Sequence, residues 1–386
     1  MDNNKEIIKE KIFIDSHCHI FNMNNVSLTL QFERTMKFIT KLTPAIFLVP
    51  ITGIGITIFF YIFKMKFYKF LERATDILEL EISDILIHLK NELGKITEFN
   101  GHKKILIPLI LDFERAKPKE KLVNQVENTL NGIKIFKKEN PEAPINIYPF
   151  IGIDPARLSP SELKKFLDKY LKGRKKTPKD GDFIGVKLYP PLGCEVYPYN
   201  ASNRVLYDYC LENDIPITCH TVKNGFVSAK NIRFPEISAN RRTSPANWEK
   251  ILKSGYENLR LNLAHFANLK FFWRKKIIYL IKNYENVYTD LSCFFGDKHK
   301  IKKLIRLIKN DRKGKLGSGK YRIEDKILFG TDFSMMLFKS ESYSQYTKQI
   351  MDMVNEYDNT LFDKMSRQNP LKFLNIKPPK SKAFLK

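Results

Sequence analysis

Residues 13–19 read Phe13-Ile14-Asp15-Ser16-His17-Cys18-His19, an apolar run that passes into two alternate histidines. Side chains on an extended strand alternate faces, so His17 and His19 point the same way and can offer two imidazoles to one divalent cation. Two ligands do not complete a site. Further residues of the right kind, His220, His265 and Asp332, stand at the C-terminal ends of later strand-like runs. The pattern points to a metal-dependent enzyme.

Working outward from that first strand, apolar runs recur at 11–16, 105–111, 145–151, 183–189, 215–219, 259–264, 286–291 and 326–330. Between them lie helix-like segments at 120–137, 161–171, 203–213, 248–253, 269–284 and 342–357, the fourth of them short. A strand-then-helix order repeated eight times predicts an α/β chain folded as a (β/α)8 TIM barrel, whose functional residues come from the C-terminal strand ends. A doubly wound open sheet is the alternative, but it gives no reason for polar residues of the first and last strands to meet.

A chain of 386 residues with 43% hydrophobic content can bury a substantial core. The expected organisation is one barrel domain over 1–376, with a long helical, partly apolar insertion at 24–100 after the first strand, ending in a polar helix-like segment at 71–93, and a basic tail at 377–386. Five scattered cysteines without CxxC spacing argue against a disulfide framework. No cationic leader with an apolar core opens the sequence, and the expected location is cytoplasmic. The net charge of +24 is spread over many lysines and comes with no nucleic-acid-binding motif, so it reads as a solvated surface with no specific nucleic acid partner. Attraction to anionic surfaces is the weaker reading.

Residues 42–63 run without a charge between Lys41 and Lys64. Their length suits a membrane span, yet a single crossing would part His17 and His19 from every later strand. Pro50, Gly53 and Gly55 instead suggest a broken hairpin, either seated in one leaflet or on another subunit of a homodimer, or else a buried element covering the substrate.

The segments FIDSHCHIF, FIGVKLYPPLG, IPITCHT, LNLAHFA and ILFGTDF resemble, in order and spacing, the amidohydrolase superfamily, most closely its amidohydrolase-related branch of aminocarboxymuconate semialdehyde decarboxylase-like enzymes. The resemblance implies a metal held by His17, His19, His220 and Asp332, with His265 acting on substrate or on water. Zinc is the first expectation for three histidines and an aspartate, and manganese, iron or cobalt also fit the ligand types. Asp332 would then double as the catalytic base beside His265.

Lys187, at the end of the fourth strand, has two functional readings: a cation for an anionic small-molecule substrate, which is favoured, or a carboxylated bridge between two metals. Tyr189 shares its rim. The leading activity is hydrolysis of an amide, ester or lactone. The alternatives are nonoxidative decarboxylation, which the same ligands serve, and a membrane-associated barrel scaffold without catalysis. Nucleases that open on the same histidine pair expect a glutamate after the third strand, where this chain has Gly152-Ile153-Asp154-Pro155.

Overall fold

The computed structural model describes residues 11–22, 76–77, 79–114, 121–171, 177–197, 200–222, 225, 241–294, 297–336 and 342–377. The apolar stretch 42–63, the basic run that follows it and the tail beyond 377 lie outside the described residues. Among the described residues no helix is long and apolar enough to cross a membrane.

The chain alternates strands and helices in the order β1 (Ile12–Cys18), α1 (Ile82–Gly94), β2 (Lys103–Pro108), α2 (Leu122–Glu139), β3 (Ile145–Ile147), β4 (Phe150–Gly152), α3 (Pro160–Tyr170), β5 (Gly185–Leu188), α4 (Ala201–Glu212), β6 (Ile217–His220), α5 (Ala246–Ile251), β7 (Leu261–Ala264), α6 (Phe271–Asn283), β8 (Val287–Asp290), α7 (Lys298–Arg312), β9 (Ile327–Leu328) and α8 (Tyr343–Tyr357). Every strand pair is parallel, in sheets ordered β1-β2-β3 and β4 to β9. The run expected at 145–151 is split at Tyr148-Pro149, where proline has no N–H to give a ladder. A bridge from Leu109 to Phe150 carries the pairing across that gap. At the other side, Ser16 N–H donates to Phe329 O at 3.0 Å and Asp332 N–H to His17 O at 2.7 Å, so the chain leaving β9 runs against β1. The architecture is an α/β fold of parallel strands, consistent with the barrel expected from the alternation.

Closure at this seam depends on size. A Cβ on Gly330 would stand 2.7 Å from the Cβ of His17, so only glycine lets the segment after β9 lie flat on β1. Asp15 fastens the same seam, accepting the hydroxyl of Thr331 at 2.6 Å and the Thr331 N–H at 3.2 Å.

Strand alternation sorts the core into two clusters. Phe13, Leu106, Ile151, Val186, Leu188, Ile217, Leu263, Val287 and Ile327 pack with the helices, whereas Ile12, Ile14, Ile105, Ile107, Phe150, Tyr288 and Leu328 pack with Phe373 and Leu374 on the opposite strand face. Along β1 the register with β2 slips between Asp15 and Cys18, a bulge that inserts one residue. The inward parity therefore changes from Ile12 and Ile14 to His17 and His19. Apolar side chains fill the N-terminal end of the strand interior, and polar ones gather at the C-terminal end.

Of two further helices, one falls in the helix-like segment expected at 71–93 and the other differs from expectation. The described end of the proposed insertion 24–100 contains α1, which buries Ile82, Ile85, Leu86, Leu89 and Leu93 and is the crossover from β1 to β2. Lys298–Arg312 is a full helix, α7, with Ile301, Leu304, Leu307 and Ile308 buried at helical spacing beneath its lysines.

Glu92 at the end of α1 ties this helix to α8. Its carboxylate accepts Ser344 N–H at 3.0 Å and the Ser344 hydroxyl at 2.9 Å, and it pairs with Lys95. Burial pushes the Glu92 carboxyl up, but the bonds from Lys95 and Ser344 outweigh it and hold the group at about 2, below its ordinary 4.5. A depressed carboxyl stabilises the fold above its unfolded value and loses that contribution as pH falls through the folded one. Glu92→Gln is expected to lower stability by about 1–2 kcal/mol at neutral pH. The gap between variant and wild type in urea unfolding should then narrow from about pH 4.5 to about pH 2; a gap independent of pH would overturn this account.

Candidate metal centre

The bulge in β1 aims both histidines of the opening motif at one aspartate. His19 Nε2 lies 3.2 Å and His17 Nε2 3.5 Å from Oδ1 of Asp332, and all three side chains are almost wholly buried. Asp332 adopts a positive φ of 58°, a conformation uncommon for a residue with a side chain, as the chain turns off β9. His17, His265 and Asp332 form a group whose ligand atoms all lie within 4.8 Å of one another.

What holds these rings is a second buried carboxylate. Asp290, at the end of β8, is completely buried and accepts His17 Nδ1–H at 2.9 Å, Asn262 Nδ2–H at 2.7 Å, the backbone N–H of His265 at 2.8 Å and the backbone N–H of Ser292 at 3.2 Å. The hydroxyl of Ser292 also donates to it. Burial works against its charge, but the His17 contact and these donors prevail and keep its carboxyl well below the usual range. Ser292 Oγ stands 2.7 Å from Nδ1 of His265, and Nε2 of His265 stands 2.9 Å from Nδ1 of His220. His265 thus stands between Ser292 and His220, with one ring nitrogen toward each.

Tautomers follow from partners that can only accept. Leu109 O lies 2.7 Å from Nδ1 of His19, and the ionised Asp290 takes the Nδ1 proton of His17. In those tautomers both Nε2 lone pairs face Asp332. Burial, with the charge of Lys187, lowers His17 to about 3 and leaves it neutral. Lone pairs converging on a carboxylate oxygen repel one another unless a cation stands between them. Neutral imidazoles and an ionised carboxylate are the forms a divalent metal binds, so the donor set fits one.

Lys187 lies between Val186 and Leu188, which face the helices, and so points inward. Its Nζ is 3.5 Å from Nε2 of His17, and burial lowers it to about 8 despite the nearby charges of Asp290 and Asp332. The Tyr189 ring packs 4.8 Å from that of His220. The ligand set implied by the resemblance and the group observed share His17 and Asp332, with His19 against the same carboxylate. The structure brings His265 into the group, and His220 stands one hydrogen bond behind it.

His265 reaches this position through an unusual backbone. Residues His265, Phe266, Ala267, Asn268 and Leu269 have φ of 68°, 44°, 49°, 52° and 55°, one left-handed turn of five residues with side chains. Ser292 and Asn262 were missed in sequence because a serine and an asparagine beside a strand carry no spacing signal. Both become visible only through Asp290.

Replacing Asp290 with asparagine keeps its size but turns one acceptor into a donor facing His17. Loss of such an orienting partner is expected to weaken zinc binding about 10–100-fold in competition with a chromophoric chelator. A folded Asp290→Asn protein that holds zinc as tightly as wild type would overturn the orienting role.

A model of the amidohydrolase family matches residues 150–376, more than half of the chain and a span containing Lys187, His220, His265, Asp290 and Asp332. A search of curated proteins found no match. Among solved structures, 4-oxalomesaconate hydratase from Rhodopseudomonas palustris is 13% identical, covering 94% of this chain and 95% of its own, with a TM-score of 0.48. A uronate isomerase from Bacillus halodurans is 12% identical over 95% of this chain and 93% of its own, with a TM-score of 0.44. An amidohydrolase from Burkholderia multivorans with bound zinc is 10% identical over 74% and 88%, with a TM-score of 0.43. The chain belongs to the amidohydrolase family and is an enzyme of that superfamily.

Proposed function

We propose that this enzyme is a metal-dependent hydrolase, built on a (β/α)8 barrel, that cleaves an amide, ester or lactone bond in a small anionic substrate. The observation that carries the reading is the convergence of two imidazole lone pairs on the ionised Asp332, with His265 in the same buried group. His17, His19, His265 and Asp332 are within reach of one divalent ion, and zinc is the metal we favour. Such an ion supplies Lewis acidity, polarising a substrate oxygen and making water acidic enough to attack at neutral pH.

The chain's own residues do the rest. Asp332, held ionised, accepts the proton that attacking water gives up. His265 is anchored through Nδ1 to Ser292 and through its backbone to Asp290, which positions it to bind negative charge developing on the substrate. Lys187 projects its ammonium into the same buried space, where a carboxylate of the substrate would find a partner of opposite charge. Exclusion of water strengthens each of these interactions. The amine or alkoxide leaving group departs as that proton passes to it from Asp332, leaving the carboxylate product.

The test is metal content by plasma mass spectrometry, on wild type and on a His17→Ala/His19→Ala protein purified identically, followed by an ester, lactone and amide panel. About one equivalent is expected in wild type and almost none in the variant, with turnover lost alongside it. About two equivalents would assign Lys187 to a carboxylated bridge. No metal after reconstitution would overturn the proposal, and release of carbon dioxide from an acid substrate would replace hydrolysis with decarboxylation.

A further inference from the structure

We propose that the outer face of α6, with the start of α7, is a docking surface for an anionic lipid bilayer. The inner face of α6 is accounted for by Ile277, Ile278, Leu280 and Ile281, all buried. Its outer face is aromatic where a solvated helix would be polar: Phe272 is 81% exposed, Phe271 52% and Tyr279 41%. The two phenylalanine rings pack edge to face, 5.4 Å apart, at the first turn. Phenylalanine rings in water gain nothing from this exposure, whereas at a headgroup boundary they bury their apolar area.

The charge around the rings chooses the partner. Lys275 Nζ lies 4.4 Å and the Arg274 guanidinium 5.5 Å from the centre of the Phe271 ring. Lys303 of α7 reaches across to the Leu269 carbonyl at 3.3 Å, which places the start of α7 beside the start of α6. Ten lysines and arginines fall between 270 and 306 against three acids. Of those acids, Asp290 is buried in the metal centre and Asp297 caps α7. Lys270, Lys275, Lys298, Lys302 and Lys303 are exposed. Exposed aromatics within a ring of cations complement an anionic headgroup layer, where each lysine or arginine near the surface adds to the attraction. Nucleic acid would answer the charge but gives the paired phenylalanines no apolar phase to enter.

Place in the fold adds a consequence. Phe271 is six residues beyond His265, and α6 and α7 both begin just past the strand ends that carry the metal centre. A bilayer on this face lies on the same side of the molecule as the site. This surface draws on no residue of the segment 42–63, and it stands whether or not the hydrolase reading does.

Co-sedimentation of the full chain with vesicles tests it, using phosphatidylcholine alone and phosphatidylcholine mixed with phosphatidylserine. Wild type is expected to favour the anionic vesicles by at least about tenfold, and Phe271→Ser/Phe272→Ser and Lys275→Glu/Lys303→Glu should each lower that partition about tenfold. Unchanged far-ultraviolet circular dichroism in both variants separates lost docking from lost fold. The proposal is overturned if wild type ignores anionic vesicles or if both folded variants bind as wild type does, which would place attachment elsewhere, such as 42–63. It is equally overturned if the variants lose binding to a single-stranded oligonucleotide while keeping vesicle binding, or if they change only the oligomeric state.

Discussion

A carboxylate with no solvent contact is costly to keep ionised, and the metal centre is organised around meeting that requirement at Asp290. Donors come to it from β1 through His17, from β7 through Asn262, from the turn after β7 through the backbone of His265, and from its own loop through Ser292. Each donor satisfied fixes one more neighbour. The bond from His17 sets a tautomer, the bond from the His265 backbone sets the start of a turn, and the serine bond leaves its oxygen to receive His265. Asp290 points no free atom at the substrate space, yet it determines which nitrogen of His17 faces that space.

The same logic governs the seam between the first and last strands. Asp332 can approach His17 and His19 only because Gly330 lets the backbone after β9 come within van der Waals range of β1, and because Asp15 holds Thr331 there. Burial lifts the Asp15 carboxyl to about 7, against the hydrogen bonds of Thr331 and His17. Asp15 thus aligns the backbone of His17, whereas Asp290 aligns its ring. Two acids of similar burial divide one histidine between them.

Much of this was readable in advance, for a physical reason. Strand parity and the position of residues at strand ends are local properties, so the HxH run, Lys187, His265 and Asp332 could be placed on one rim before any coordinates existed. The eight strand positions were recognisable because fully buried parallel strands are nearly continuous apolar runs. What stayed hidden is what depends on distant partners. The bulge in β1 is set by pairing with β2, and Ser292 by a hydrogen-bond chain spanning three strand ends. Helix α7 is hard to read for another reason: lysines crowd its first turns and mask the period of Ile301, Leu304 and Ile308.

The left-handed turn from His265 to Leu269 shows how these constraints combine. Each residue with a side chain in that conformation costs about 1–2 kcal/mol relative to a right-handed one. A single such residue is ordinary, but five in succession are a large charge on a fold whose net stability is itself small. The turn is held by a bond from the His265 backbone to Asp290 and by burial of Phe266, Ala267 and Leu269. A right-handed continuation would carry the imidazole away from Ser292 and His220. The fold thus tolerates backbone strain where it brings a ring nitrogen of His265 into the group with His17 and Asp332, beside lone pairs that repel one another unless a cation joins them. A bound cation would relieve that repulsion, and its occupancy would then add to the stability of the fold.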